Sequence, residues 1–203
     1  MIRVGLTGGL ASGKSFIGEV LASLGCHVIK ADELGHQVLS PGGEAWAPTV
    51  AEFGPGILRA DGVIDRKRLA SIVFNDAEKL AALNAIVHPA VFRKEEEFLG
   101  ALEARDPDAI GVVEAAILIE TGSYKRYDRL VLAFCSEQQQ IERAMLRDGC
   151  TREDAEARLR RQMPLTDKRK YAHYVIDTSG TLEGVREQTR ELYRELTGLR
   201  MPS

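Results

Sequence analysis

The sequence predicts an α/β fold: a parallel sheet flanked by helices, with an all-helical substrate-binding insertion and a helical lid. Three observations carry this prediction. Residues 8–15 read Gly-Gly-Leu-Ala-Ser-Gly-Lys-Ser and fill the pattern G-x-x-x-x-G-K-S without a mismatch. Ile2, Val4 and Leu6 alternate before the glycines, while Ile17, Val20, Leu21 and Leu24 recur at helical spacing after them, so the motif joins a strand to a helix. Strand-like runs follow at 27–31, 110–115, 130–134 and 174–177, with only helical patterns and turns between 34 and 100. Strand, glycine loop and helix together indicate a sheet of the P-loop NTPase type.

The chemistry of the loop follows from its composition. Successive backbone N–H groups turn inward, and the N-terminus of a helix stands behind them, so a polyphosphate meets hydrogen-bond donors and a positive dipole end together. Gly9, Ala11, Ser12 and Gly13 supply the cradle, and Phe16 opens the helix behind it. Lys14 is placed to reach the β- and γ-phosphates and Ser15 to ligate Mg²⁺.

With 203 residues and 44% hydrophobic content, the chain fits one domain carrying sizeable insertions. The expected division is a core of residues 1–32, 101–135 and 172–203, a helical substrate lobe of 33–100 and a lid of 136–171. A formal net charge of −3 argues against a nucleic-acid partner held by bulk charge. Anion-handling charge is instead local, with nine Lys/Arg against five Asp/Glu between Arg143 and Lys170. Cys26, Cys135 and Cys150 form no C-x-x-C pair, which suits reduced thiols in a cytoplasm. No charged leader precedes an apolar run, and no 18 apolar residues run together, so neither export nor a membrane partner is expected.

Asp32 follows the second strand. In open parallel sheets ligands bind outside the carboxyl ends of the strands, so Asp32 is read either as a group facing the phosphates or as the N-cap of the helix from Glu33. In the insertion, Trp46, Val50 and Phe53 form a short helical stripe, residues 66–74 and 77–87 read as helices, and Asn75 with Glu78 resembles a capping box. His88-Pro89 is expected to end or kink the second of these helices, leaving the imidazole either to contact a ligand or to cap carbonyls. Glu114, near the end of a fully apolar strand, could hold Mg²⁺ through water or serve in pairing. Ser136 with Gln139 caps a helix carrying Arg143 and Arg147 on one face, and Thr151 with Asp154 starts another that ends near Gln162. Arginines there either clamp phosphate oxygens or form a solvated face. A lysine-serine P-loop, a second-strand aspartate, a helical insertion and an arginine-bearing lid describe a small phosphotransferase, with Asp32 best placed to accept a hydroxyl proton.

The chain resembles the bacterial dephospho-CoA kinases over nearly its whole length. The residues that carry the resemblance are the P-loop, Val28-Ile-Lys-Ala-Asp32, Phe53-Gly54 through Asp61-Gly and Asp65-Arg66, His88-Pro89, Ala116-Ile-Leu-Ile-Glu120, Gln140 with Arg143 and Arg147, Gln162, and Ala172-His-Tyr-Val-Ile. Phe16 stands where that family usually has a small residue, and Thr178 where it usually has Asn. The resemblance implies transfer of the ATP γ-phosphate to the ribose 3′-hydroxyl of dephospho-CoA, with Mg²⁺ present, by a monomer or weak homo-oligomer. It further implies that Asp32 is the base, that Lys14 and Ser15 serve phosphate and Mg²⁺, and that Arg143 is the lid arginine, with Arg147 on the nucleotide. Arg66, His88, Pro89 and Leu118 line the acceptor site in the same reading.

Overall fold

The computed structural model describes residues 1–74 and 76–199. The chain forms two compact units, one of residues 1–29 and 101–203 and one of residues 30–100.

The first unit is built on a five-stranded sheet in the order β2-β3-β1-β4-β5. Its strands are β1 (Ile2–Gly8), β2 (His27–Lys30), β3 (Ile110–Glu114), β4 (Arg129–Phe134) and β5 (Tyr174–Asp177), and β1 pairs in parallel with both β3 and β4, as β4 does with β5. The strand order turns at β1, which is where doubly wound sheets open a crevice at their carboxyl edge. The register places Leu6 beside both Glu114 and Val131, and Gly8 beside Ala133. Period-two alternation sends Val4, Leu6, Ile110, Val112, Val131 and Ala133 to one face. There they bury Ile17 and Leu21 of α1 (Lys14–Ser23) and Val185, Leu192 and Leu196 of α9 (Leu182–Gly198). Thr181 caps α9 by accepting from the Gly184 N–H, as a β-region Ncap threonine does.

The second unit holds α2 (Ala31–Val38), α3 (Trp46–Phe53), α4 (Arg66–Val73) and most of α5 (Ala77–Arg105), which continues into the first unit. Ile57, Ile64, Leu69 and Val73 form its core, with Trp46, Val50 and Phe53 against them. The Trp46 indole N–H donates to the Gly62 carbonyl at 3.1 Å, which pins the Asp61-Gly62 turn to α3. Asp65 caps α4 through the Lys67 and Arg68 N–H groups.

Three helical expectations need correction or relocation. The helix does not end at His88-Pro89, because α5 runs from Ala77 to Arg105 with Pro89 inside it. The proline removes one donor, but Ala90 and Val91 directly after it are buried, and their packing sustains the helix past the missing bond. Asn75 lies outside the described residues; the Glu78 and Lys79 N–H groups donate to Asp76 Oδ1 at 3.1 and 3.0 Å, so Asp76 caps α5. Asp32 is not a cap: α2 starts at Ala31, two residues before Glu33, behind Lys30, and Asp32 lies in its first turn, where a carboxylate favours the helix dipole.

Within residues 136–171, Ser136 and Gln139 form the expected capping box of α6 (Glu137–Asp148), and Thr151 caps α7 (Arg152–Leu159). A further short helix, α8 (Leu165–Lys168), follows and was not expected. Leu165 of α8 packs with Leu132 and Cys135 at the end of β4. Among the described residues no helix is long and apolar enough to cross a membrane.

Candidate active site

The P-loop occupies the carboxyl end of β1, and its backbone bends in two unusual places. Ala11 has φ 49° and Gly13 φ 90°, both left-handed. At Gly13 the conformation and the space agree, because a Cβ would come 3.2 Å from the Thr178 side chain. Ala11 adopts the same region with a side chain, at a cost that active-site loops commonly carry.

Lys14 Nζ donates to the Gly9 carbonyl at 2.8 Å, so the ammonium lies across the mouth of the loop it is expected to serve. Ser15 Oγ donates to Glu114 Oε1 at 2.8 Å. Glu114 is 7% exposed, and its other oxygen, Oε2, is buried without a hydrogen-bond partner among the described residues. A buried carboxylate oxygen in that condition is costly unless something charged completes it. Gly18 permits the arrangement, since a Cβ there would stand 3.1 Å from Oε2.

Ala11, Ser12, Gly13, Lys14, Ser15 and Phe16 share one cleft of about 300 Å³ with Arg143 and Arg147 of α6. All the sequence-predicted nucleotide residues except Gly9 therefore line a single cavity. Gly9 lines a larger one, about 630 Å³, with Phe134, Cys135, Gln140, Met163 and Leu165. The Arg143 fork spans Thr178, with Nη2 on its carbonyl at 2.6 Å and Nη1 on its hydroxyl at 3.3 Å. Thr178 Oγ1 also lies 2.8 Å from the Ser12 carbonyl as its donor. Arg147 is held by Asp148 through Nε at 2.7 Å and Nη2 at 3.0 Å, and Arg158 reaches the same carboxylate. These two guanidinium groups keep the Asp148 carboxyl well below the usual carboxylate range. Arg186 lies over the Phe16 ring, 5.4 Å from its centroid.

The remaining predicted residues are found as follows. Asp32 and Arg66 are exposed, in the first turn of α2 and at the first position of α4. His88 is half-buried in α5 with Phe92 beside it, and burial pushes its pKa below the ordinary imidazole value, so it is neutral at pH 7. Pro89 is exposed next to it. Leu118 is 2% exposed and packed where a Cβ on Gly5 would strike it at 2.9 Å. Glu120 is occupied elsewhere, accepting from Lys168 Nζ at 2.8 Å and from the Met163 N–H at 3.0 Å.

Thr178 stands out in the sequence only as a departure from the family pattern, and Lys168 gives no signal of its place beside the loop. Lys168 is fully buried, yet it sits in a Lys-Arg-Lys run that reads as solvated surface. Burial pushes its pKa down, and the Glu120 carboxylate opposes that shift. Gln140 did leave a signal, since it shares the buried stripe of α6 with Ala144, where a polar residue calls for a partner.

A phosphate loop, a hydroxyl-carboxylate pair behind it and an arginine fork over it, on a parallel sheet, define a P-loop phosphotransferase. A family model described as dephospho-CoA kinase matches residues 2–184. The dephospho-CoA kinase of Aquifex aeolicus is 42% identical over 197 residues, covering 97% of this chain and 98% of that one. A solved structure from Thermus thermophilus superposes with a TM-score of 0.82 at 34% identity, covering 96% of this chain and 97% of that one. The dephospho-CoA kinase of Campylobacter jejuni superposes with a TM-score of 0.65 at 26% identity, covering 96% of both chains. The chain belongs to the dephospho-CoA kinase family.

The Arg143 fork rests on Thr178 and lines the same cleft as the loop. Arg143→Ala is expected to lower kcat by about 10²-fold or more while nucleotide affinity moves much less, as for loss of one transition-state donor. Steady-state kinetics beside ADP titration calorimetry check this, and a change in affinity alone would assign Arg143 to ground-state binding.

Proposed function

We propose that the protein transfers the γ-phosphate of ATP to the ribose 3′-hydroxyl of dephospho-CoA, giving ADP and coenzyme A, the last step of coenzyme A biosynthesis. The observation that carries this reading is family membership over nearly the whole chain together with an intact phosphate loop facing Arg143 and Arg147 in one cleft.

Phosphoryl transfer needs little covalent chemistry from a protein; it needs a donor held in line, charge neutralised and a proton removed. The loop N–H groups and the N-terminus of α1 hold the donor phosphates. Lys14 exchanges the Gly9 carbonyl for a phosphate oxygen, and Arg143 offsets charge spreading over the transferred group. Ser15 Oγ and Glu114 would hold Mg²⁺. The orphaned Glu114 Oε2 supports that fit, since the ion takes one or two carboxylates plus substrate phosphates and water. When bound, the ion neutralises charge on the β- and γ-phosphate oxygens.

Asp32 takes the proton of the acceptor hydroxyl in this proposal. Its support is its matched position in the family motif and its place in the chain just after β2. Arg66, His88 and Pro89 are the proposed acceptor contacts. His88, kept neutral by burial, offers one donor and one acceptor to a hydroxyl or phosphate in place of a full charge.

Purified protein with Mg²⁺-ATP is expected to release ADP on addition of dephospho-CoA, and far less with nucleosides or nucleoside monophosphates. Release no faster than an ATP-only blank would refute the assignment. Asp32→Asn is expected to keep ATP affinity and lower turnover by about 10²-fold or more, the range for loss of a general base. Near-normal turnover of that variant would remove Asp32 from the chemistry.

A further inference from the structure

The backbone of the P-loop's first residues is gripped by side chains of the lid segment. Leu10 is held on both of its peptide groups. Its N–H donates to Gln162 Oε1 at 2.8 Å, and its carbonyl accepts from Gln140 Nε2 at 2.8 Å. The amide orientations are fixed by the chemistry, because a backbone N–H only donates and a carbonyl only accepts. Gln140 is 4% exposed and approaches so closely that a Cβ on Gly9 would lie 2.2 Å from its nitrogen. Two residues earlier, the Gly8 carbonyl accepts from the fully buried Lys168 Nζ at 3.1 Å. The same ammonium donates to the Ala116 carbonyl at 2.6 Å and pairs with Glu120 at 2.8 Å.

These contacts matter because the loop cannot hold its own shape by regular hydrogen bonding. Residues 9–13 lie outside β1 and α1, Ala11 is left-handed, and a peptide plane that rotates turns an N–H away from the phosphates. The grip comes from three separate places in residues 136–171: the first turns of α6, the stretch after α7, and the end of α8.

We propose that Gln140, Gln162 and Lys168 are positioning residues of the phosphate loop, fixing the Gly8 and Leu10 peptide planes so that the loop is pre-shaped for nucleotide. None of them touches the reacting atoms; they act through the loop backbone. The affinity of the loop for phosphate thereby becomes coupled to how the lid segment is seated, and by thermodynamic reciprocity nucleotide binding steadies the lid segment in turn.

This inference rests on the reading of the loop as a nucleotide site, and the test separates the two. Gln162 is the residue to change, being only partly buried, with its side chain bonded among the described residues to Leu10. Gln162→Met removes the acceptor at nearly constant volume, and Gln162→Glu keeps it. Amide hydrogen exchange of Leu10, read by NMR without nucleotide, is expected to speed up about tenfold or more in Gln162→Met and to return toward the wild-type rate in Gln162→Glu. ADP affinity of Gln162→Met, read by calorimetry, is expected to fall about tenfold. Leu10 exchange equal in wild type and Gln162→Met, or an ADP affinity within about twofold of wild type in Gln162→Met, overturns the proposal. A wild-type protein that fails to bind ADP counts against the proposed function instead, while the exchange rates still decide the clamp.

Discussion

The site depends on the backbone conformation of residues 8–15. A phosphate loop works through peptide N–H groups, whose direction is set by φ and ψ and not by side-chain choice, so anything that fixes those angles fixes the chemistry. Here the angles are constrained from several sides. β1 anchors the entry through its pairing with β3 and β4, and α1 anchors the exit. Thr178 crowds Gly13 and meets the Ser12 carbonyl. Glu114 ties Ser15 to the end of β3, and the glutamines of the lid segment hold Leu10.

Much of this was legible in the sequence, for identifiable reasons. The loop, the strand before it and the helix after it follow from a motif whose glycines and alternating apolar residues have local causes. The capping box of α6 and the Thr151 cap of α7 were readable because an Ncap interaction spans only three residues. At Pro89 a local rule meets tertiary packing: the proline is expected to end or kink the helix, and the buried residues after it carry α5 on to Arg105.

The charged groups show the same boundary. Nothing in the Lys168-Arg169-Lys170 run distinguishes a fully buried lysine from an exposed one, because what distinguishes it is the convergence of Gly8 at the end of β1 with Ala116 and Glu120 of the 116–120 turn, two distant parts of the chain. Once buried, such an ammonium must be fully hydrogen-bonded, and all three of its donors are used. Thr178 is a related case. Its hydroxyl joins the end of β5 to the loop through the Ser12 carbonyl and gives Arg143 a second acceptor.

The central claim is that residues 8–15 form a phosphate cradle whose lysine is already poised at its mouth. A crystal structure with ADP and Mg²⁺ bound tests it most directly. The expected result is a β-phosphate ringed by the N–H groups of residues 12–15, with Lys14 Nζ moved from the Gly9 carbonyl to a phosphate oxygen. A nucleotide seated away from the loop, or Lys14 still donating to Gly9 beside a bound β-phosphate, would contradict it.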